Sequence, residues 1–114
     1  MSAEQPIRER RRGERVLIRI PITLYGLTKD NRHHSEQAET AVVSRTGALV
    51  RAHTAFKPGG TVQVTNGFSK EEETFKVVWV SDQQKQGYFD VGVEMMSPRE
   101  EFWGIRFPPR PGKP

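Results

Sequence analysis

The sequence predicts an all-β fold: a small antiparallel, split β-barrel of about six strands with a short C-terminal helix. Three observations predict it. Apolar residues alternate over short runs, as in Val16-Leu17-Ile18-Arg19-Ile20 and Thr61-Val62-Gln63-Val64-Thr65, the period-two pattern of half-buried strands. Turn residues such as Pro58-Gly59-Gly60 and Asn66-Gly67 punctuate the chain at close spacing. The 114-residue length suits a single core, because a chain this short buries only about two-thirds of its unfolded surface.

Residues 1–12 are polar and charged without strand or helix periodicity, and are expected to form a mobile basic arm ahead of a barrel domain spanning 13–105. From Val16, the residues Val16, Ile18, Ile20, Ile22 and Leu24 fall on one face of a strand. Pro21 lacks an amide donor and predicts an edge position or a bulge there. Residues 28–35 form a polar loop. A second strand over 37–43 runs into Ser44-Arg45-Thr46-Gly47, and the chain leaves through Ala48-Leu49-Val50. Gly47 is expected to supply a positive φ to this tight turn, and Arg45 to face solvent. Residues 61–65 form the next strand, with Glu71-Glu72-Glu73 as a solvated hairpin loop that also discourages strand-end aggregation.

Residues 74–80 make the most apolar strand, with Trp79 expected in the core, and 88–94 make another after a loop over 83–87. Ser97-Pro98-Arg99-Glu100 carries a capping Ser, a Pro at the first helical position and a Glu three residues after the cap, which predicts a short helix to about Trp103. Phe102, Trp103 and Ile105 would then cover an open barrel end. Residues 106–114 form a Pro-rich extended tail.

Composition narrows the function. There are no cysteines, so disulfides, thiolate metal sites and a cysteine nucleophile are excluded. No apolar run reaches the length of a membrane span and the N-terminus lacks the apolar core of a secretion signal, so a cytoplasmic protein without membrane insertion is expected. His33 and His34 are neighbours that point apart on a strand, so no metal site is expected. No set of nucleophile, base and orienting residue can be assembled, so an enzyme is not expected either.

The net charge of +4 is concentrated in Arg8, Arg10, Arg11, Arg12 and Arg15. That cluster runs directly into the first strand. Arg presents a planar fork of donors that fits phosphate oxygens or the O6/N7 edge of guanine two bonds at a time, and its flat face stacks on bases. Ser44 and Gly47 bound a turn that offers a hydroxyl and close backbone amides, a shallow anion cradle. The arm lacks interleaved aromatic residues of the kind that stack single-stranded bases, so specific nucleic-acid binding is not expected.

The order R-x-x-x-R (Arg11, Arg15), a strand, then S-x-x-G (Ser44, Gly47) followed by Ala48-Leu49-Val50 resembles the PilZ domain, the bacterial receptor module for cyclic di-GMP. Lys76-Val77-Val78-Trp79-Val80 is similar to its central Trp-bearing strand, and Val91-Gly92-Val93-Glu94 to its closing strand. The resemblance implies a non-catalytic receptor in second-messenger signalling that binds cyclic di-GMP without a cofactor and passes the signal to a protein partner. Arg11 and Arg15 would bind phosphates and guanine edges, Arg12 would add charge, and Ser44 with Gly47 would form the facing wall. One position departs from the family pattern: Val42 stands where an Asp or Asn usually holds the guanine edge. Thr40 is expected on the same strand face, two residues away. The alternative implied by Val42 is a degenerate module that has lost nucleotide binding and acts as a protein-interaction domain.

Overall fold

A computed structural model describes residues 15–105 and residue 107. Seven strands form: β1 (Val16–Leu17), β2 (Pro21–Leu27), β3 (His33–Val43), β4 (Gly47–Ala52), β5 (Thr61–Asn66), β6 (Glu72–Val80) and β7 (Phe89–Met95). Six of them close on themselves in the order β3-β2-β5-β6-β7-β4 and back to β3, all antiparallel, and β1 is an extra strand laid on β3. The expected all-β barrel is the observed fold.

The alternating pattern places every second side chain inside. Ile22 and Leu24 of β2, Val62 and Val64 of β5, Phe75 and Val77 of β6, and Val91 and Val93 of β7 are all buried in one core. Side chains of this kind each contribute about 1.5–3 kcal/mol on burial, so the inward face of the barrel dominates its stability.

Three departures from strict alternation shape the outer surface. The first strand is broken, because Leu17 pairs with Val42 and Pro21 with Glu39, which leaves Ile18, Arg19 and Ile20 facing only Thr40 and Ala41. The fully buried Thr40 side chain fills that break: Oγ1 donates to the Ile18 carbonyl (2.6 Å) and accepts from the Ile20 amide (2.9 Å). Pro21 opens β2, where a missing donor does least harm.

The second departure is a bulge at Ala41, since Thr40 pairs with Val50 and Val42 with Leu49. It turns Thr40 inward and Val42 outward, so the two do not share a face as strict alternation implied. The third is a bulge at Val78, because Val77 pairs with Val93 and Trp79 with Gly92. Val78 and Trp79 both face out, and Trp79 is 51% exposed rather than in the core. Its ring covers the bare backbone of Gly92, where a Cβ would lie 3.8 Å from Trp79 Cε3.

Two turns also differ from expectation. The loop after β2 is shorter than 28–35, since pairing of β3 with β2 extends to His33 opposite Leu27. The C-terminal helix is a four-residue 3-10 turn, Glu100–Trp103, and its N-cap is the extended Arg99 without a side-chain cap, not Ser97. Tertiary contacts override the local capping signal. Arg99 is clamped by Glu71 (2.7 Å) and Glu73 (2.9 Å), so the acidic run serves as an anchor rather than a solvated loop. The buried Asn66 donates from Nδ2 to the Phe102 carbonyl (2.9 Å). Phe102 and Trp103 then plug one end of the barrel with Phe75, as expected, and Ile105 packs against the same cluster.

Candidate functional site

The two bulges gather apolar side chains on one outer face. Register runs from Leu17 of β1 to Val42 of β3, Leu49 of β4, Gly92 of β7 and Trp79 of β6, so these residues cross five strands side by side. Leu17 at 87% exposure and Trp79 mark the two ends of this row. A contiguous exposed apolar band of this kind is a candidate ligand or partner surface.

The middle of the row floors an open cleft of about 280 Å³. Val42, Leu49, Val78 and Gly92 give it an apolar floor, and Arg15, Ser44, Thr46 and Gly47 form the polar rim. Three local devices build that rim. The chain reverses between β3 and β4 with the Ser44 amide donating to the Gly47 carbonyl (2.9 Å). The Gly47 amide donates back to Ser44 Oγ (3.1 Å), the local hydroxyl-to-backbone turn that a Ser in this place favours. The Met95 amide donates to the Thr46 carbonyl (2.8 Å), which ties the turn to the end of β7.

Gly47 is needed for space and not for a left-handed backbone. The positive-φ glycines among the described residues are Gly59, Gly87 and Gly104. At Gly47 a Cβ would lie 2.5 Å from the Val93 carbonyl oxygen, inside the backbone of the neighbouring strand. Only the residue without a side chain lets the turn lie flat on β7. Arg45, expected to face solvent, is half-buried with its guanidinium 5.5 Å from the centre of the Phe107 ring.

Arg15, Ser44 and Gly47 are therefore brought together on one cleft, and Val42 lies on its floor. Arg11 and Arg12 lie outside the described residues. Sequence reasoning missed Leu49, Val78, Gly92 and Glu94 as parts of this surface. Gly92 and Glu94 were legible in principle, because β7 reads as a strand and pairing it with the Ser44–Gly47 turn places them there. Val78 was not, because its outward position depends on the bulge.

A second polar cluster sits away from the cleft, where His34 Nε2 meets Glu36 Oε1 (2.9 Å) and the His53 amide donates to Glu36 Oε2. Burial pushes the Glu36 carboxyl up, but hydrogen bonds from Thr54, His53 and His34 outweigh it and hold the group below its ordinary value. His33 turns the other way and stacks on Tyr25, with ring centres 5.8 Å apart.

The chain is a closed small β-barrel with an open, part-cationic, part-apolar cleft on its outer face. The model of the PilZ domain family matches residues 9–102, which takes in the Ser44–Gly47 turn and all seven strands, and the chain belongs to that family. The PilZ domain is in general a non-catalytic receptor module for cyclic di-GMP. No curated protein and no solved structure matches the chain. Among the described residues no helix is long and apolar enough to cross a membrane.

Proposed function

We propose that this protein is a cytoplasmic, non-catalytic receptor for cyclic di-GMP, which it binds without a cofactor at the cleft beside the Ser44–Gly47 turn. One observation carries the reading: Arg15, distant in sequence, lines the same cleft as Ser44 and Gly47. The Arg15 guanidinium meets a ligand phosphate or the guanine O6/N7 edge, and Arg11 and Arg12 add further forks from the segment just before it. Val42, Leu49 and Val78 supply an apolar floor for the flat face of a base. Charge-assisted bonds of about 1.5–3 kcal/mol each offset the entropy lost when the leading segment settles over the ligand. The closed segment presents a new surface to a protein partner, and that is the signalling output.

Calorimetric titration with cyclic di-GMP tests the site. Arg15→Ala is expected to weaken binding at least about tenfold with an unchanged thermal midpoint, since Arg15 is exposed outside the strands. Equal affinities for the two proteins would remove the assignment. Val42 supports a second reading, a module that no longer binds the nucleotide and recognises a protein through the apolar row. Amide NMR shifts that stay silent at millimolar cyclic di-GMP would favour it.

A further inference from the structure

Among the described residues, two charged side chains line the cleft, Arg15 and Glu94. A carboxylate on the wall of a site for a doubly anionic ligand repels that ligand unless it faces a hydrogen-bond donor. Glu94 is free to do so. It lies on β7 opposite Gly47 of the turn and Lys76 of β6, it is exposed, and its side chain makes no hydrogen bond or ion pair among the described residues. The rim hydroxyls are weaker competitors: Ser44 Oγ is held by the Gly47 amide and by the Gly47 carbonyl, and Thr46 offers one neutral oxygen where a carboxylate offers two charged ones. Val42, Leu49 and Val78 bring no polar atom to the floor.

Cross-strand pairing with Gly47 is what seats Glu94 there. A Cβ at Gly47 would lie 3.4 Å from Glu94 Cα and 3.5 Å from its Cγ, ordinary contact distances that place Glu94 directly beside the turn.

We infer that Glu94 is the specificity-determining residue of the cleft, accepting hydrogen bonds from a purine edge that carries two adjacent donors and so selecting guanine over adenine; this rests on the cyclic dinucleotide reading above. Guanine presents N1–H and the N2 amino group side by side, matching the two oxygens of one carboxylate. Adenine presents its N6 amino group beside the N1 lone pair, and that lone pair repels a carboxylate oxygen. A site that pairs polar groups with one ligand discriminates strongly against an analogue that leaves them unpaired, whereas an apolar floor alone does not.

The test is a calorimetric comparison of cyclic di-GMP with cyclic di-AMP on the full chain and on Glu94→Gln and Glu94→Ala, with thermal midpoints recorded for each. The unsubstituted protein is expected to prefer the guanine ligand by at least about tenfold. Both variants are expected to bring the two affinities within about threefold of each other, mainly by weakening cyclic di-GMP. Preference retained in both variants would overturn the inference, as would an equal gain for both ligands, which would make Glu94 a repelling charge only. Those outcomes leave the receptor reading standing. An unsubstituted protein that binds neither ligand removes the receptor reading and this inference together.

Discussion

Gly47 and Gly92 both flank the cleft, yet their missing side chains do different things. At Gly47 a Cβ would meet a backbone carbonyl at 2.5 Å, and neither strand can yield without breaking its pairing. At Gly92 the nearest neighbours are Val78 Cγ2 at 3.5 Å and Trp79 Cβ at 3.6 Å, an ordinary contact distance. Gly47→Ala is therefore expected to destabilise the fold by about 1–3 kcal/mol, the range for forced overpacking. Gly92→Ala is expected to stay within about 1 kcal/mol of the parent while narrowing the cleft floor and weakening the ligand. Urea denaturation of both variants, with a titration of the second, checks the pair, and equal stability losses would contradict the distinction. Thr40 illustrates another residue-scale effect, since one hydroxyl answers a donor and an acceptor that the break between β1 and β2 leaves without a strand partner. Thr40→Val keeps the shape and removes both bonds, so a loss of about 1–3 kcal/mol is expected in the same measurement.

At the scale of elements, the pattern of alternation made most of the barrel legible in advance. The strands β4, β5, β6 and β7 lie within one or two residues of where Leu49-Val50, Val62-Val64, Phe75-Val77 and Val91-Val93 placed them. What periodicity could not carry was the bulges. Val77-Val78-Trp79-Val80 is apolar throughout, so nothing in it tells which residue is the extra one, and Trp79 fell on the wrong face. Half of the site was legible for a different reason. Ser44 and Gly47 announce themselves by a short-range pattern, and Arg15 by its place against the first strand, whereas Val78 and Glu94 reach the cleft only through cross-strand register. The short C-terminal helix was legible to its end at Trp103, but its cap was not: Ser97-Pro98 is a strong local cap, and the long-range bonds from Asn66 and Arg99 to Phe102, Glu71 and Glu73 outweigh it and start the 3-10 turn after Arg99. Asn66→Ala leaves the Phe102 carbonyl and the Phe68 amide without their partner. It is expected to lower stability by about 2 kcal/mol and to expose the aromatic plug, seen as a red shift of tryptophan emission before global unfolding.

Taken as one body, the barrel hides its hydrogen-bonding edges by closing on itself, and among the described residues the two-residue β1 alone is left at a margin. That geometry disfavours edge-to-edge association. Acid sensitivity also belongs to the whole molecule. Glu36 titrates below its ordinary value of 4.5 in the folded protein, so its contribution to stability is fully present above that value. It is lost as pH falls through the lower, folded value. Glu36→Gln is expected to flatten the loss of stability below about pH 4.5 and to leave the slope near neutrality unchanged; an unaltered acid limb in pH-dependent denaturation would refute this.

Arg45 lies on the turn beside the cleft and carries Phe107 on its guanidinium, while Arg15 forms part of the rim itself. The incoming and outgoing stretches of chain thus pass the same small patch of surface. Fluorescent proteins fused next to Arg15 and Phe107 would both emanate from beside the proposed cyclic di-GMP cleft. On the receptor reading proposed above, a change in energy transfer between them would report occupancy, and the barrel would serve as the core of a single-chain optical sensor.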